Sequence, residues 1–414
     1  MIITCPINKQ RLWNTLMELG NIGLTSSNKA EGLTRLSLSK EDLAARSYLI
    51  KLMEEAGLEV RVDPIGNIFG KLNGSKKTAP VVLSGSHIDT VHQGGMFDGA
   101  LGVLGAIEAV RTIKEAGINL THTIEVVSFT DEEGTRFGTG YIGSKAMAGV
   151  LEEKIFTLED DDGITYREAI LNAGLDPLSY KEATRKKEEV KAYIEMHIEQ
   201  GKVLEEHNMS VGIVTDIQGP IWLEVTLIGN PDHAGATPMH MRKDAALAMA
   251  EVLLEIETIA TTYKGVGTVG KIKVEPGGVN IIPGKVSFSV DLRHVNKELR
   301  TEMVNKVFES LDRVSNRRRI HAHIDVKKDV DPASCSKEIV QLLEEVCSEL
   351  SIPTKKIQCG AGHDSLIMAN YTKMGMIFVR SKDGISHNPK EWTDLEDCAV
   401  GTQVLFETLV KLAK

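Results

Sequence analysis

The chain has 414 residues, 42% hydrophobic and 26% charged, with a formal net charge of −10. That length exceeds one comfortable core and predicts two domains of an ordinary globular protein. The acidic balance argues against nucleic acid or an anionic membrane as the main partner, and no apolar run is long enough to span a bilayer.

The first clear element is "SKEDLAARSYLIKLMEEAGLEV" (39–60), a helix that Ser39 can cap, with Asp42 three residues on and Gly57 at its end. "PVVLSGSH" (80–87) reads as a short buried strand and "DGALGVLGAIEAVRTIKEAG" (98–117) as an apolar helix. Strands follow at "TIEVVSFTDEEG" (123–134), "KAYIEMHIEQG" (191–201) and "MGMIFVRS" (374–381). Strands alternating with helices predict an α/β sheet covered on both faces. From about 215 to 330 the rhythm changes to strand (221–229), helix (243–263), strand (267–274), strand (286–293), helix (297–315), strand (320–326). That βαββαβ order is the ferredoxin-like arrangement. In "VSFSVDLRH", Val286, Phe288, Val290 and Leu292 alternate with Ser287, Ser289, Asp291 and Arg293, as expected of a sheet with one wet face. The expected organisation is therefore a first domain, 1–215 and 331–414, interrupted by an inserted domain, 216–330.

The five cysteines, Cys5, Cys335, Cys347, Cys359 and Cys398, are scattered, odd in number and without C-x-x-C spacing. They read as reduced thiols. With no apolar signal core in "MIITCPINKQRLWN", they predict a cytoplasmic protein. The runs "NRRRIH" (316–321) and "LEDDDG" (158–163) read as a solvated helix end and an acidic loop.

The ionisable residues fall in telling places. His87 follows one predicted strand, Glu132 and Glu133 follow a second, His197 ends a third, and His387 lies in the loop after a fourth. Parallel strands share one C-terminal edge, where ligands bind, so these residues can converge. Histidines with carboxylates and no cysteine suit Zn²⁺, Mn²⁺, Co²⁺ or Ni²⁺. Asp98, in the turn "GGMFDG", can reach two ions. Asp89, two residues after His87, can accept the other ring N–H of that histidine. Of the adjacent pair Glu132–Glu133, one can ligate metal while the other serves as a general base. A strained ligand turn predicts a cis Asp98–Gly99 bond. His122, His207, His240, His321 and His323 read as ordinary surface or strand residues, and His92 has no assigned role.

"SGSHIDTVHQGGMFDGALGV", "FTDEEGTRFG", "HIEQG", "DHAGATPM", "PGGVNIIP" and "DGISHNP" occur in this order over nearly the whole chain. Together they resemble the amidase, hydantoinase and carbamoylase branch of the M20 metallopeptidase family. The resemblance implies a di-metal catalytic domain with a central mixed sheet covered by helices, plus an inserted ferredoxin-like α+β lid and dimerisation domain. It assigns His87, Asp98 and His197 to one divalent ion and Asp98, Glu133 and His387 to the other, with Glu132 as base. M20 peptidases commonly carry a carboxylate where this chain has His197, which favours the carbamoylase branch. The resemblance also implies that His233 stabilises the oxyanion and that Asn280 and Arg293 hold a substrate carboxylate. Gln200, Gly362 and His363 would be further substrate contacts, and the protein would be a homodimer. The expected reaction is hydrolysis of the ureido group of an N-carbamoyl-L-amino acid. Allantoate is the alternative substrate, disfavoured by the apolar Ile221 and Trp222 in "QGPIWLEV". An aminoacylase, a dipeptidase or a metal-free binding protein is the more distant reading.

Overall fold

The computed structural model describes residues 6–24 and 31–414; Cys5 and the start of "MIITCPINKQRLWN" lie outside them. The strands, in chain order, are β1 (Glu59–Val62), β2 (Ile68–Leu72), β3 (Val81–His87), β4 (Ile124–Phe129), β5 (Val190–Ile198), β6 (Val211–Ile217) and β7 (Gly219–Ile228). They continue with β8 (Val266–Thr268), β9 (Ile272–Glu275), β10 (Lys285–His294), β11 (His321–Asp329), β12 (Ala333–Ser334), β13 (Thr354–Cys359) and β14 (Met374–Val379). The chain divides into two compact units, 1–215 with 335–414, and 216–334.

The first unit is built on a mixed sheet whose strands run β1-β2-β4-β3-β5-β14-β6, with β13 also on β6. Its centre is parallel, β4 with β3, β3 with β5 and β5 with β14, and its flanks are antiparallel. Every residue of β3, β4 and β14 is buried, so these central strands, covered on both faces, show no alternation of buried and exposed positions. The helix Ala100–Glu115 is buried on nearly every side, as an apolar helix lying on a sheet must be. It approaches β5 closely because residue 102 is glycine: a Cβ there would stand 2.2 Å from the Met196 carbonyl oxygen. The predicted helix over 39–60 forms over Lys40–Glu55, and Ser39 accepts from the Asp42 N–H. Gly57 follows at φ 71°. The "EV" that closes the predicted helix belongs instead to β1, after the chain has turned at Gly57.

The second unit is an antiparallel sheet in the order β11-β7-β10-β8, with β9 also on β10. The helices Ala245–Tyr263 and Lys297–Arg318 pack against its core of Leu223, Val225, Phe288 and Val290. The alternation expected in β10 is present: Val286, Phe288, Val290 and Leu292 are buried and their neighbours are not. The strand expected over 267–274 is broken into β8 and β9, which pair with different stretches of β10. Among the described residues the cis peptide bond is Glu275–Pro276, so the cis Asp98–Gly99 bond expected from the sequence is not found. Gly99 makes that turn instead by adopting φ 63° and ψ −46°, a region open to glycine.

Candidate active site

Because β3, β4, β5 and β14 are mutually parallel, their C-terminal ends lie along one edge. His87 is the last residue of β3, opposite Phe129 at the end of β4. His197 lies one residue from the end of β5, opposite Phe378 of β14. Glu132 and Glu133 leave the end of β4, and His387 sits in the loop beyond β14. The edge thus gathers two sets of ligand atoms, each within 4.8 Å of one another: His87, Asp98 and His197, and Asp98, Glu133 and His387. Asp98 belongs to both. Its Oδ1 lies 3.0 Å from His197 Nε2 and 3.7 Å from His87 Nε2, and its Oδ2 lies 3.2 Å from His387 Nε2. Glu133 Oε1 is 3.5 Å from His387 Nε2.

The ring orientations follow from the backbone. His87 Nδ1 lies 3.0 Å from the Asp89 carbonyl oxygen, and His197 Nδ1 lies 2.9 Å from the Ile198 carbonyl oxygen. A carbonyl only accepts, so each Nδ1 carries the hydrogen and each Nε2 faces the cluster, the tautomer a metal-ligating imidazole needs. Gly99 is required a second time here: a Cβ on it would stand 2.4 Å from His87 Nε2. Asp131, Gln200 and His387 hold positive φ angles of 56°, 55° and 53°. Non-glycine residues tolerate such strain chiefly where the surroundings over-determine them.

The electrostatics test whether cations fit. Burial holds the His87 imidazole down to about 4, against the pull of Asp98. Burial opposes the Asp98 charge as well, yet hydrogen bonds with His197 and His387 hold that carboxylate well below its ordinary value. Glu132 and Glu133 are pushed well above theirs, first by burial and then by neighbouring carboxylates. Burial opposes charge on His197 too, yet its hydrogen bond with Asp98 raises that imidazole to about 9, so the buried carboxylates draw protons onto the rings where a cation would otherwise supply the positive charge. Divalent cations of the borderline class suit that donor set.

The Asp89 carboxylate does not do what its spacing predicts. It is the backbone carbonyl of Asp89 that meets His87 Nδ1, while the carboxylate Oδ1 stands 3.7 Å away. Its oxygens accept instead from the N–H groups of Glu132 and Glu133, each at 3.2 Å. Asp89 therefore orients the loop that carries both glutamates. Glu132 Oε1 is buried with no hydrogen-bond partner among the described residues, and its Oε2 is 3.7 Å from His87 Nε2.

Two of the other expected contacts lie beside the cluster. Gln200 donates from Nε2 to Asp98 Oδ2 at 2.8 Å and to Ser386 Oγ at 3.1 Å. The His363 ring lies 4.1 Å from that of His197 and is 2% exposed, and its Nε2 has no hydrogen-bond partner among the described residues. Gly362, just before it, packs so closely on Tyr141 that a Cβ would meet the phenol oxygen at 2.1 Å. The remaining expected residues belong to the second unit. His233 and Asn280 are exposed and lie on segments tied together by the Ala234 N–H to Asn280 carbonyl bond, 2.9 Å. His233 Nδ1 accepts from the N–H groups of Gly235 and Ala236. Its proton therefore sits on Nε2, available to a ligand. Arg293 lies on the polar face of β10, but it is not free as expected: it pairs with Asp291, 2.7 Å away on the same face. Side chains two apart on a strand point the same way, which brings the opposite charges together.

Sequence reasoning missed two buried carboxylates. Glu195, two residues before His197, accepts from Ser86 Oγ at 2.7 Å and from Ser365 N–H and Oγ at 3.0 and 2.6 Å. An acid inside the apolar run "YIEMHI" is the signal that could have found it. Glu391, four residues after His387, accepts from the N–H groups of Phe97 and Asp98 at 2.9 and 3.0 Å. Nothing near it in the sequence marks it.

Residues 83–411 match the profile of peptidase family M20/M25/M40. The chain is 45% identical over 409 residues to the N-carbamoyl-L-amino acid amidohydrolase of Geobacillus stearothermophilus, covering 99% of each. It is 35% identical over 412 residues to the allantoate amidohydrolase of Escherichia coli, covering 98% of each. A crystal structure of a hydantoinase/carbamoylase family amidase from Burkholderia multivorans superposes with a TM-score of 0.93 at 35% identity, covering 99% of both chains. With likeness of this extent in sequence and fold alike, the chain belongs to the M20 peptidase family, in its hydantoinase/carbamoylase branch.

Proposed function

We propose that the protein hydrolyses N-carbamoyl-L-amino acids to the amino acid, ammonia and carbon dioxide, using two divalent ions, Zn²⁺, Mn²⁺, Co²⁺ or Ni²⁺. The observation that carries this is the shared carboxylate of Asp98 between two ligand groups, with Glu132 Oε1 buried beside them and without a hydrogen-bond partner among the described residues. The 45% identical relative supplies the substrate class. His87, Asp98 and His197 would hold one ion, and Asp98, Glu133 and His387 the other. When bound they supply Lewis acidity and ease the ionisation of water near neutral pH.

The chain's own residues do the rest. Glu132, buried beside the two ligand groups, takes a proton from the attacking water and delivers one to the leaving amino-acid nitrogen. One water is consumed; the carbamate released with the amine breaks down to ammonia and carbon dioxide. The Asp89 carboxylate keeps Glu132 and Glu133 in register through their backbone N–H groups. His233, with its proton on Nε2, donates to the developing oxyanion. Asn280 and Arg293 bind the substrate carboxylate, Arg293 exchanging part of its pairing with Asp291 for a planar two-point contact. Gln200, Gly362 and His363 border the substrate. The second unit serves as lid and as the interface of a homodimer. The scattered, buried cysteines Cys335, Cys347, Cys359 and Cys398 suit the cytoplasm. Among the described residues no helix is long and apolar enough to cross a membrane.

Allantoate is the second reading, carried by the E. coli relative. Ile221 is buried in the core of the second unit and does not bear on the choice as expected; the exposed, apolar Trp222 still favours carbamoyl amino acids. A panel of allantoate, several N-carbamoyl-L-amino acids, N-carbamoyl-β-alanine and a dipeptide, ranked by kcat/KM with Mn²⁺ added, decides between them. Highest activity on allantoate or on the dipeptide would overturn the proposal. Purified protein that holds no metal and stays inactive with added Mn²⁺ or Co²⁺ would overturn the enzyme reading itself.

A further inference from the structure

We infer that Glu391 is a positioning residue that sets the occupancy of the more exposed ion group, Asp98, Glu133 and His387, by locking the Asp98 turn to the His387 loop. The inference rests on the two-ion reading above. Glu391 belongs to neither ligand group, so its effect is exerted through others.

The need for such a lock is visible in the histidines. His87 and His197 are buried, and each has its Nδ1 anchored on a backbone carbonyl. The His387 side chain is 49% exposed, its backbone sits at φ 53°, and no described residue forms a hydrogen bond to its Nδ1. Its placement therefore depends on the loop that carries it.

That loop is anchored through Glu391. The carboxylate is 3% exposed. Its Oε1 accepts from the Phe97 and Asp98 N–H groups, which fixes the backbone of the shared ligand. Its Oε2 lies 2.8 Å from the hydroxyl of Ser386, the residue just before His387. The same hydroxyl is 2.9 Å from Asp98 Oδ2, the oxygen that faces His387. Glu391 thus touches both loops at once, and Ser386 closes the ring between them. Gly95 makes room: a Cβ there would stand 2.2 Å from the Glu391 carboxyl group. The ring meets the Asp98 carboxylate at Oδ2, whereas Oδ1 faces His197 and His87. Loosening the ring therefore disturbs one ion far more than the other. A residue with only a structural role would weaken both together.

The test counts ions. Wild type, Glu391→Ala, Glu391→Gln and Ser386→Ala proteins are dialysed against a series of free Mn²⁺ concentrations, and bound metal per chain is measured by mass spectrometry. Wild type should bind two ions. Glu391→Ala should lose affinity for one of them by about 10–100-fold, as expected for an outer-shell partner, with the other changed several-fold less. Glu391→Gln keeps an acceptor for the two N–H groups and a donor toward Ser386, and should restore most of the loss. Ser386→Ala, a small change that decides the matter if Glu391→Ala does not fold, should weaken the same ion. Two ions bound with wild-type affinity in Glu391→Ala, or in Ser386→Ala where that variant decides, would overturn this inference and leave the two-ion reading standing. Equal weakening of both ions would also overturn it. Wild type binding fewer than two ions would overturn the two-ion reading itself, and this inference with it.

Discussion

The first unit buries and pre-orients His87, Asp98 and His197, whereas the second leaves two of its expected site residues, His233 and Asn280, in solvent. His87, Asp98 and His197 are almost inaccessible, and both imidazoles are fixed by main-chain carbonyls. In the second unit His233 and Asn280 are exposed, and Arg293 is occupied by Asp291. On the proposed function, the difference is a division of labour. Groups that must hold charge out of water need a rigid, desolvated frame, while groups that meet and release a substrate need access. On the proposed reaction, damage to the first unit should strike turnover, and damage to the second should divide between turnover and binding.

The sharpest way to break that comparison is Glu132→Gln. It should lower kcat by roughly 10²–10⁴ with metal content unchanged in the dialysed protein; near-normal turnover would remove Glu132 as the base. His233→Ala comes next, with kcat expected to fall by roughly 10²–10³. A change confined to KM would show that the second unit only binds. Arg293→Ala should raise KM for carboxylate-bearing substrates by about ten- to a hundredfold, the worth of a charged hydrogen bond, and leave kcat nearly untouched. An unaltered KM would remove Arg293 as a carboxylate contact. The smallest expected effect is within the first unit. Under stepwise chelation, the ion bound with exposed His387 should leave at a concentration about tenfold below that needed for the other. Loss of both ions in a single step would erase the distinction between the two groups.

Much of this was legible in the sequence because it depends on local order. Short apolar runs ending in His or Glu mark strand ends, and parallel pairing then brings those ends to one edge. The clean alternation through Val286–Arg293 gave the wet and dry faces of β10 for the same reason. What was illegible depends on distance or on choices the backbone makes. Asp89 is spaced to serve His87, yet the fold offers the carbonyl to His87 and the carboxylate to Glu132 and Glu133. Arg293 is on the right face, but its partner two residues away shows only once the side chains are placed. Glu391 is 293 residues from the Asp98 N–H that it accepts, and a lone acid after "NPK" carries no mark of that.

The sequence by itself therefore determined the kinds of ligand, the strand ends that bear them and the insertion of a second rhythm, since periodicity and residue chemistry are local properties. Tertiary structure alone decided which oxygen meets which nitrogen, which tautomer each ring adopts, and that Gly99 turns the chain beside His87 by its positive φ. Those outcomes are settled by hydrogen-bond geometry and by the exclusion of water, and both exist only once the strands have come together.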